Sequence, residues 1–451
     1  MTALTALKTS TPLSAASRRQ VLGLAVPIIL ANLTQPLLAA VDTAVAGHLG
    51  GAAPVGGVAQ GGLLLGFVFW GLGFLRMGTS ALVAQAHGAQ DEAALAGHLS
   101  RALLLALGLG LLVLMLGAAG FEAGLKLLGG STAVRAQADA YGTARLMAAP
   151  FVLANYVLLG YLLGRQQVRL ALALQVAVNL INLLALLIAV GVLEAGVRGI
   201  GAATAVADAG GFVLGWLALR LAQGHWPRVR WRERSTRGAW ARLLGVNRDI
   251  FLRTACLLAV LGVFSRRSAE HGDVILAANA VLQLFGNVTS YALDGFAQAA
   301  ETLVGAAVGR GDVRALREAL RASLLLALSG ALAFAALYAL AGGVLIEHLT
   351  DAPAIAAAAR QYLPWTIVMP LAACGGFILD GVFIGATRTR ALMASMFVAA
   401  GFFASTLYAA RDWANHGLWL ALIVFMLARG LALAACLPGL LRTTSMPARA
   451  A

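Results

Sequence analysis

The chain has 451 residues, 60% of them hydrophobic and only 12% charged, with 52 glycines and a formal charge of +14. Soluble globular domains are less apolar and about twice as charged, so an ordinary cytosolic enzyme is excluded. At about 20 apolar residues per bilayer crossing, this composition suffices for roughly a dozen transmembrane helices.

In a soluble chain such positive charge would suggest a nucleic-acid partner, but here the basic residues fall between hydrophobic segments, and no nucleic acid is expected. Cys256, Cys374 and Cys436 all lie inside apolar runs, with no metal-type spacing, and read as small core residues without a disulfide framework. Residues 1–17 are polar, Arg18 and Arg19 follow, and an apolar run extends from Val21 to about Ala46. That run is too long for a cleavable signal peptide, so the first span is expected to be retained.

In chain order the predicted spans cover 21–46, 55–83, 99–120, 139–163, 168–193 and 198–222, then 249–265, 274–308, 320–346, 360–385, 391–410 and 416–441. Runs of this length in lipid must be helices, because a helix satisfies its own backbone hydrogen bonds. The organisation predicted is a tail to residue 20, a six-helix lobe at 21–223, a basic linker at 224–246, a second six-helix lobe at 247–441 and a tail at 442–451.

The linker stretch GHWPRVRWRERSTRGAWAR carries Arg228, Arg230, Arg232, Arg234, Arg237 and Arg242, which places it on the cytoplasmic side. Counting crossings from it brings Arg18, Arg19, Arg101, Arg165, Arg169, Arg310, Arg314, Arg317, Arg321, Arg388, Arg390 and Arg442 to the same side. Both termini are therefore expected inside, in a bacterial inner membrane. Trp226 and Trp231 read as interfacial anchors, and the seven histidines as loop-end residues without ligand spacing.

The halves repeat at a constant offset of 221. GYLLG at Gly160 to Gly164 answers GVFIG at Gly381 to Gly385, Arg169 answers Arg390, LLLAL at 103–107 recurs at 324–328, and Gly88 and Asp91 recur as Gly309 and Asp312. Six spans per repeat is an even number. The predicted fold is therefore an all-α membrane protein of two six-helix lobes related by a pseudo-two-fold axis along the membrane normal, as in transporters.

Ionisable groups inside the membrane cost roughly 2.5 to 3.5 kcal/mol each even on insertion scales, and are functional candidates by default. Asp42 lies late in the first span. Asn179 and Asn182 are one turn apart in the fifth, and Thr204 and Asp208 share a face of the sixth. These groups can close around one proton or small cation, with Asp42 as the titrating carboxylate. In the second half Asp294 and Glu301 are two turns apart on one face of the eighth span. Asp380 opens DGVFIGATRTR in the tenth, where its repeat partner is Leu159. These three form a second candidate carboxylate site for protons or a cationic substrate.

The strings PLLAAVDTAVAGHLG, FWGLGFLRMGTSALVAQAHG, GVRGIGAATAVAD, YALDGFAQAAETLVGAAVG and DGVFIGATRTR carry a resemblance over essentially the whole chain, from Arg19 to about Leu441. It resembles the multidrug and toxic compound extrusion (MATE) transporters, in the DNA-damage-inducible F (DinF) branch. The resemblance implies two bundles facing a central cleft and export of cationic amphiphiles driven by proton or sodium inflow. It also implies that Asp42 is the key ion-binding group, accompanied by Asn182 and Thr204. One position departs: the aspartate the family carries four residues after Asn182 is here Leu186. Sodium prefers several oxygen ligands and more than one negative charge, whereas a proton needs one tunable carboxylate. The loss therefore favours proton coupling through Asp42, assisted by Asp208, or else a shift of coupling to Asp294 and Asp380.

The expected function is thus a secondary active multidrug antiporter needing no cofactor beyond its coupling ion. Its partners are the bilayer and a cationic amphiphile, and it acts as a monomer. A lipid or lipid-linked glycan flippase, or an organic-acid exporter on the same fold, is the alternative. The absence of a metal cluster, HExxH, phosphate-cradling loop or Ser/His/Asp set in the sequence argues against an enzyme.

Overall fold

The computed structural model describes residues 15–223 and 237–444, and all regular structure among them is helical. The arginines at 228, 230, 232 and 234, His225, Trp226, Trp231 and residues 1–14 and 445–451 of the terminal tails lie outside the described residues, while 15–20 and 442–444 are helical. In chain order the helices are α1 (Ala15–Gly47), α2 (Ala52–Gly71), α3 (Phe74–Gly88), α4 (Glu92–Leu128), α5 (Thr132–Leu146), α6 (Ala149–Gly164), α7 (Val168–Leu186) and α8 (Gly196–Gln223). The second half holds α9 (Arg237–Glu270), α10 (Asp273–Arg310), α11 (Val313–Leu349), α12 (Pro353–Gly385), α13 (Thr389–Ala409) and α14 (Ala414–Thr444).

Each predicted span falls on helix. Ten helices among the described residues are long and apolar enough to cross a membrane, α2 and α3 counting together as Ala52–Gly88. The bent pair of α5 and α6, turned through 54° at Met147–Ala148, supplies an eleventh. The remaining predicted span lies in α9, which carries Arg248, Asp249 and Arg253 toward one end and Arg266, Arg267 and Glu270 toward the other. Asp249 and Arg253 are buried, so these charges face protein rather than lipid. Met115, Leu340 and Leu431 are among many large apolar side chains left on the surface, where only lipid would be a fitting solvent.

The chain divides into two compact units, one spanning Leu30–Asn247 and the other uniting Met1–Ile29 with Arg248–Ala451. The lobe boundaries therefore differ from the predicted ones at two places. The start of α1 packs with the second unit, where Gly295 of α10 presents no side chain to Ile29 and Ala25, and Ser17 Oγ donates to Glu318 Oε2 at 3.0 Å. The first turns of α9, expected as linker, are helical and stay with the first unit: Arg242 donates to Gln85 Oε1 at 2.7 Å, and Asn247 Oδ1 lies against Gly78. Cys436 is exposed rather than a core residue.

Inside each unit the duplication reappears as packing. A Cβ on Gly160 would come within 2.5 Å of the Arg76 carbonyl, and one on Gly381 within 2.1 Å of the Ala297 carbonyl. Likewise Gly164 faces the Ser80 carbonyl at 2.7 Å and Gly385 faces the Glu301 carbonyl at 2.2 Å. All four pairs keep the 221 offset. So do the N-caps, where Asp91 accepts from Ala94 N and Asp312 from Ala315 N. Left-handed residues recur in register too: Gln90 with Gly311, and Gln166 with Thr387. A non-glycine in that conformation costs roughly 1–2 kcal/mol, so its retention at 166 and 387 marks a turn geometry both units require. The repeats differ where α10 and α12 run unbroken through positions at which the first unit breaks, between α2 and α3 and between α5 and α6.

In the second unit Asn279 donates to Ser268 Oγ and Asn415 Oδ1 and accepts from Asn415 and Trp419. This buried network ties α9, α10 and α14 together beside the Phe264–Trp419 ring pair. Gly381→Ala would drive a methyl group into backbone that cannot rotate away. It is expected to destabilise the protein by about 1–3 kcal/mol, read as a lowered melting temperature in detergent. Gly66→Ala, which meets nothing within 4 Å, should not lower it.

Candidate functional site

In the first unit Asp42, near the end of α1, is 5% exposed. Tyr141 of α5 donates its hydroxyl to Asp42 Oδ2 at 3.4 Å, and Arg145, one turn along α5, donates Nη1 to the Tyr141 oxygen at 3.0 Å. Two glycines admit the tyrosine. A Cβ on Gly61 of α2 would lie 2.8 Å from its ring, and one on Gly201 of α8 would lie 2.4 Å from its carbonyl. Asp42 makes no ion pair, and its Oδ1 is buried without a hydrogen-bond partner among the described residues.

Asn182 of α7 is fully buried and donates Nδ2 to Thr204 Oγ1 of α8 at 3.0 Å, and Thr204 donates to the Ile200 carbonyl. Asn182 Oδ1 is a second buried acceptor with no partner among the described residues. The structure therefore joins Asn182 to Thr204 as the sequence suggested, while the hydrogen bond of Asp42 goes to Tyr141. Asn179, one turn earlier, is half-buried and joins neither group. Asp208 is also half-buried. Its carbonyl accepts from Asn155 of α6 at 2.8 Å, and its carboxylate interacts electrostatically with Arg145, as Asp42 does. Leu186 is 1% exposed, so an apolar side chain fills the place where a second acid would stand.

Tyr141, Arg145 and Asn155 were missed by the sequence reading. Arg145 was detectable by the rule that found Asp42, since it is a charge inside an apolar run. Tyr141 was not, because an interfacial tyrosine and a ligating one look alike in sequence.

In the second unit Asp380 of α12 is 4% exposed and is not a free carboxylate. Its Oδ2 accepts from Arg253 Nη2 of α9 and lies 3.4 Å from Arg429 Nη2 of α14. The two arginines are 8% and 1% exposed. Arg429 sits over the Phe377 ring at 4.9 Å, admitted by Gly376, whose Cβ would lie 3.0 Å from its Nε. Gly430 in turn brings the α14 backbone against Gly376. The reading of Asp380 as a carboxylate open to a proton or cation is corrected here: two guanidinium groups already surround it. Asp294 is half-buried, accepts from Gln298 at 2.7 Å and interacts electrostatically with Arg429. Glu301 is buried with its carbonyl against Gly385. Arg429 lies 221 residues after Asp208, so the duplicated position carries opposite charge in the two units.

A many-spanned helical membrane protein built as two duplicated units, each with a buried polar cluster, defines a transporter class, and comparison with known proteins agrees. The MatE family profile matches residues 27–188 and 252–409. The chain is 42% identical to DNA damage-inducible protein F of Escherichia coli (strain K12) over 418 residues, covering 91% of this chain and 90% of that one. The chain belongs to the MATE family of transporters. Its fold matches an outward-facing multidrug-resistance MATE transporter with a TM-score of 0.85 at 17% identity, over 96% of this chain and 97% of that one. It matches a Pyrococcus furiosus MOP-superfamily transporter, described as having a binding pocket of reversed polarity, with the same score and coverage.

Removing one member of a buried ion cluster strands the others, typically at 3–5 kcal/mol. Asp380→Leu, which leaves two arginines without their carboxylate, is therefore expected to lower the melting temperature in detergent more than Arg429→Met, which leaves the Arg253–Asp380 pair intact.

Proposed function

We propose that this transporter exports amphiphilic small molecules in exchange for protons, with Asp42 as the proton-binding group. The observation that carries the reading is the state of Asp42: buried, in no direct ion pair among the described residues, holding one hydrogen bond from Tyr141 and one buried oxygen without a donor among them. An ionised carboxylate in that setting is poorly solvated, and taking up a proton relieves it. Sodium is the poorer ligand. The second acid is replaced by Leu186, and a guanidinium stands one tyrosine away, so the site offers a cation one negative charge beside a positive one.

Protonation of Asp42 from outside and release toward the inside would then favour alternate packings of α1 against α5. Asn182 and Thr204 supply polar neighbours, and Asp208 competes with Asp42 for Arg145. For the substrate, the preference for lipophilic cations now rests on Asp294 and Glu301, because Asp380 is already neutralised by arginines. The chain is proposed to act as a monomer in the bacterial inner membrane with both termini in the cytoplasm.

In everted vesicles, uptake of a fluorescent amphiphile driven by a proton gradient is expected to stop on adding a protonophore and to persist when sodium is replaced by choline. Asp42→Asn should lower it at least about tenfold, equivalent to 1.4 kcal/mol, and Tyr141→Phe by about threefold to tenfold, the worth of one hydrogen bond. Undiminished transport by Asp42→Asn, or transport that requires sodium, would overturn the proposal.

A further inference from the structure

The first turns of α11 carry charges that the duplicated helix lacks. Arg314, Arg317 and Arg321 share one face of α11, and the same face continues as Leu325, Leu328 and Leu332. At 3.6 residues per turn these six side chains fall within an arc of about 80°, opposite the buried Leu316, Leu320, Ser323 and Ala327. The three leucines are 51%, 42% and 53% exposed. Val313–Leu349 is long and apolar enough to cross a membrane, so the leucines meet acyl chains and the arginines stand at the end of the span read as cytoplasmic. The residues 221 positions earlier, on α4, are Ala93, Ala96, Ser100, Leu104, Leu107 and Leu111. Leu107 and Leu111 are exposed as well. The leucine face is therefore repeated and the arginines are not.

The protein gives these arginines little counter-charge. Arg314 is exposed and Arg317 half-buried, and neither enters an ion pair among the described residues. Nε of Arg317 is buried with no hydrogen-bond partner among them. The two acids on the same turns are engaged elsewhere: Asp312 accepts from Ala315 N at 3.0 Å, and Glu318 accepts from Ser17 Oγ of α1 at 3.0 Å. A guanidinium presents N–H donors in a fork that fits two phosphate oxygens, and at a membrane surface each such cation adds to the attraction for an anionic lipid. Charge above and exposed leucines below, on one helix face, match the two ends of a phospholipid.

We propose that Arg314 and Arg317, with Arg321 one turn deeper, form a binding site for an anionic phospholipid whose acyl chain lies along Leu325, Leu328 and Leu332. The three arginines cover about 10 Å of helix axis, comparable with the depth of the headgroup layer. A zwitterionic headgroup carries the same phosphate beside an ammonium that offsets its charge, so the site selects by net charge. The site belongs to the second unit alone. It also adjoins Glu318, so the bound lipid lies beside the contact that holds the start of α1 in this unit.

The test uses the full-length protein in neutral-detergent micelles, titrated with phosphatidylglycerol or phosphatidylcholine of identical acyl chains. Bound lipid is counted by native mass spectrometry. Phosphatidylglycerol is expected to bind at least about tenfold tighter, as two arginines at a headgroup would give, and to raise the melting temperature more. The double variant Arg314→Gln/Arg317→Gln should lose most of that preference while binding phosphatidylcholine as before, which reports a folded protein. Arg314→Gln alone, at an exposed position, should give an intermediate preference. Arg388→Gln/Arg390→Gln removes the same charge from the side read as cytoplasmic at two exposed positions, and should leave the preference unchanged. Inorganic phosphate at the lipid's concentration should displace nothing, because it lacks the chain that the leucines hold. Equal binding of the two lipids, a preference untouched by the substitutions at 314 and 317, an equal loss in the variant at 388 and 390, or displacement by inorganic phosphate would refute the site.

Discussion

Withdrawing a charge from water into hydrocarbon is the expense around which this protein is arranged. Each unit meets it differently. In the first, Asp42 takes one hydrogen bond, from a tyrosine that in turn accepts from Arg145, so its charge is tempered but not cancelled. In the second, Asp380 is clasped by Arg253 and Arg429, and the surplus lies with the donors.

These opposite solutions stand on one duplicated scaffold. The glycine contacts at 160 and 381 and at 164 and 385, the caps at 91 and 312, and the left-handed residues at 166 and 387 hold the same relations in both units. All of them concern backbone approach, capping or turn geometry: at the glycines a Cβ would collide with a carbonyl, and at the caps another side chain would leave a helix N–H unmet. The interior polar positions have no such restriction, and there the repeats part: Asp208 against Arg429, and Leu159 against Asp380. Duplication preserved what packing demands and left the buried charges to be assigned separately.

The helical breaks follow the same division. The first unit interrupts its helices between α2 and α3 and between α5 and α6, and Tyr141 and Arg145 sit on α5 just before the second break, at Met147 and Ala148. The second unit carries α12 straight through the equivalent stretch, despite Pro364 and Pro370, and sets Asp380 near its far end.

Span positions, the all-helical class, the internal repeat and the candidacy of Asp42 were all legible in the sequence. Hydrophobic length, periodic offset and the rarity of charge in lipid are properties of the chain itself. The resemblance grouped Asn182 and Thr204 with Asp42; the structure bonds the first two to each other, while the hydrogen bond of Asp42 goes to Tyr141. What tertiary structure alone decided is partnership across distant helices. That Asp42 turns to Tyr141, that α1 begins with one unit and ends with the other, and that Asp380 lies between arginines 127 residues before and 49 residues after it depend on which helix faces meet. Facing is fixed by close backbone contacts at glycines such as Gly201 and Gly376. A sequence shows that a glycine is present but not what lies opposite it.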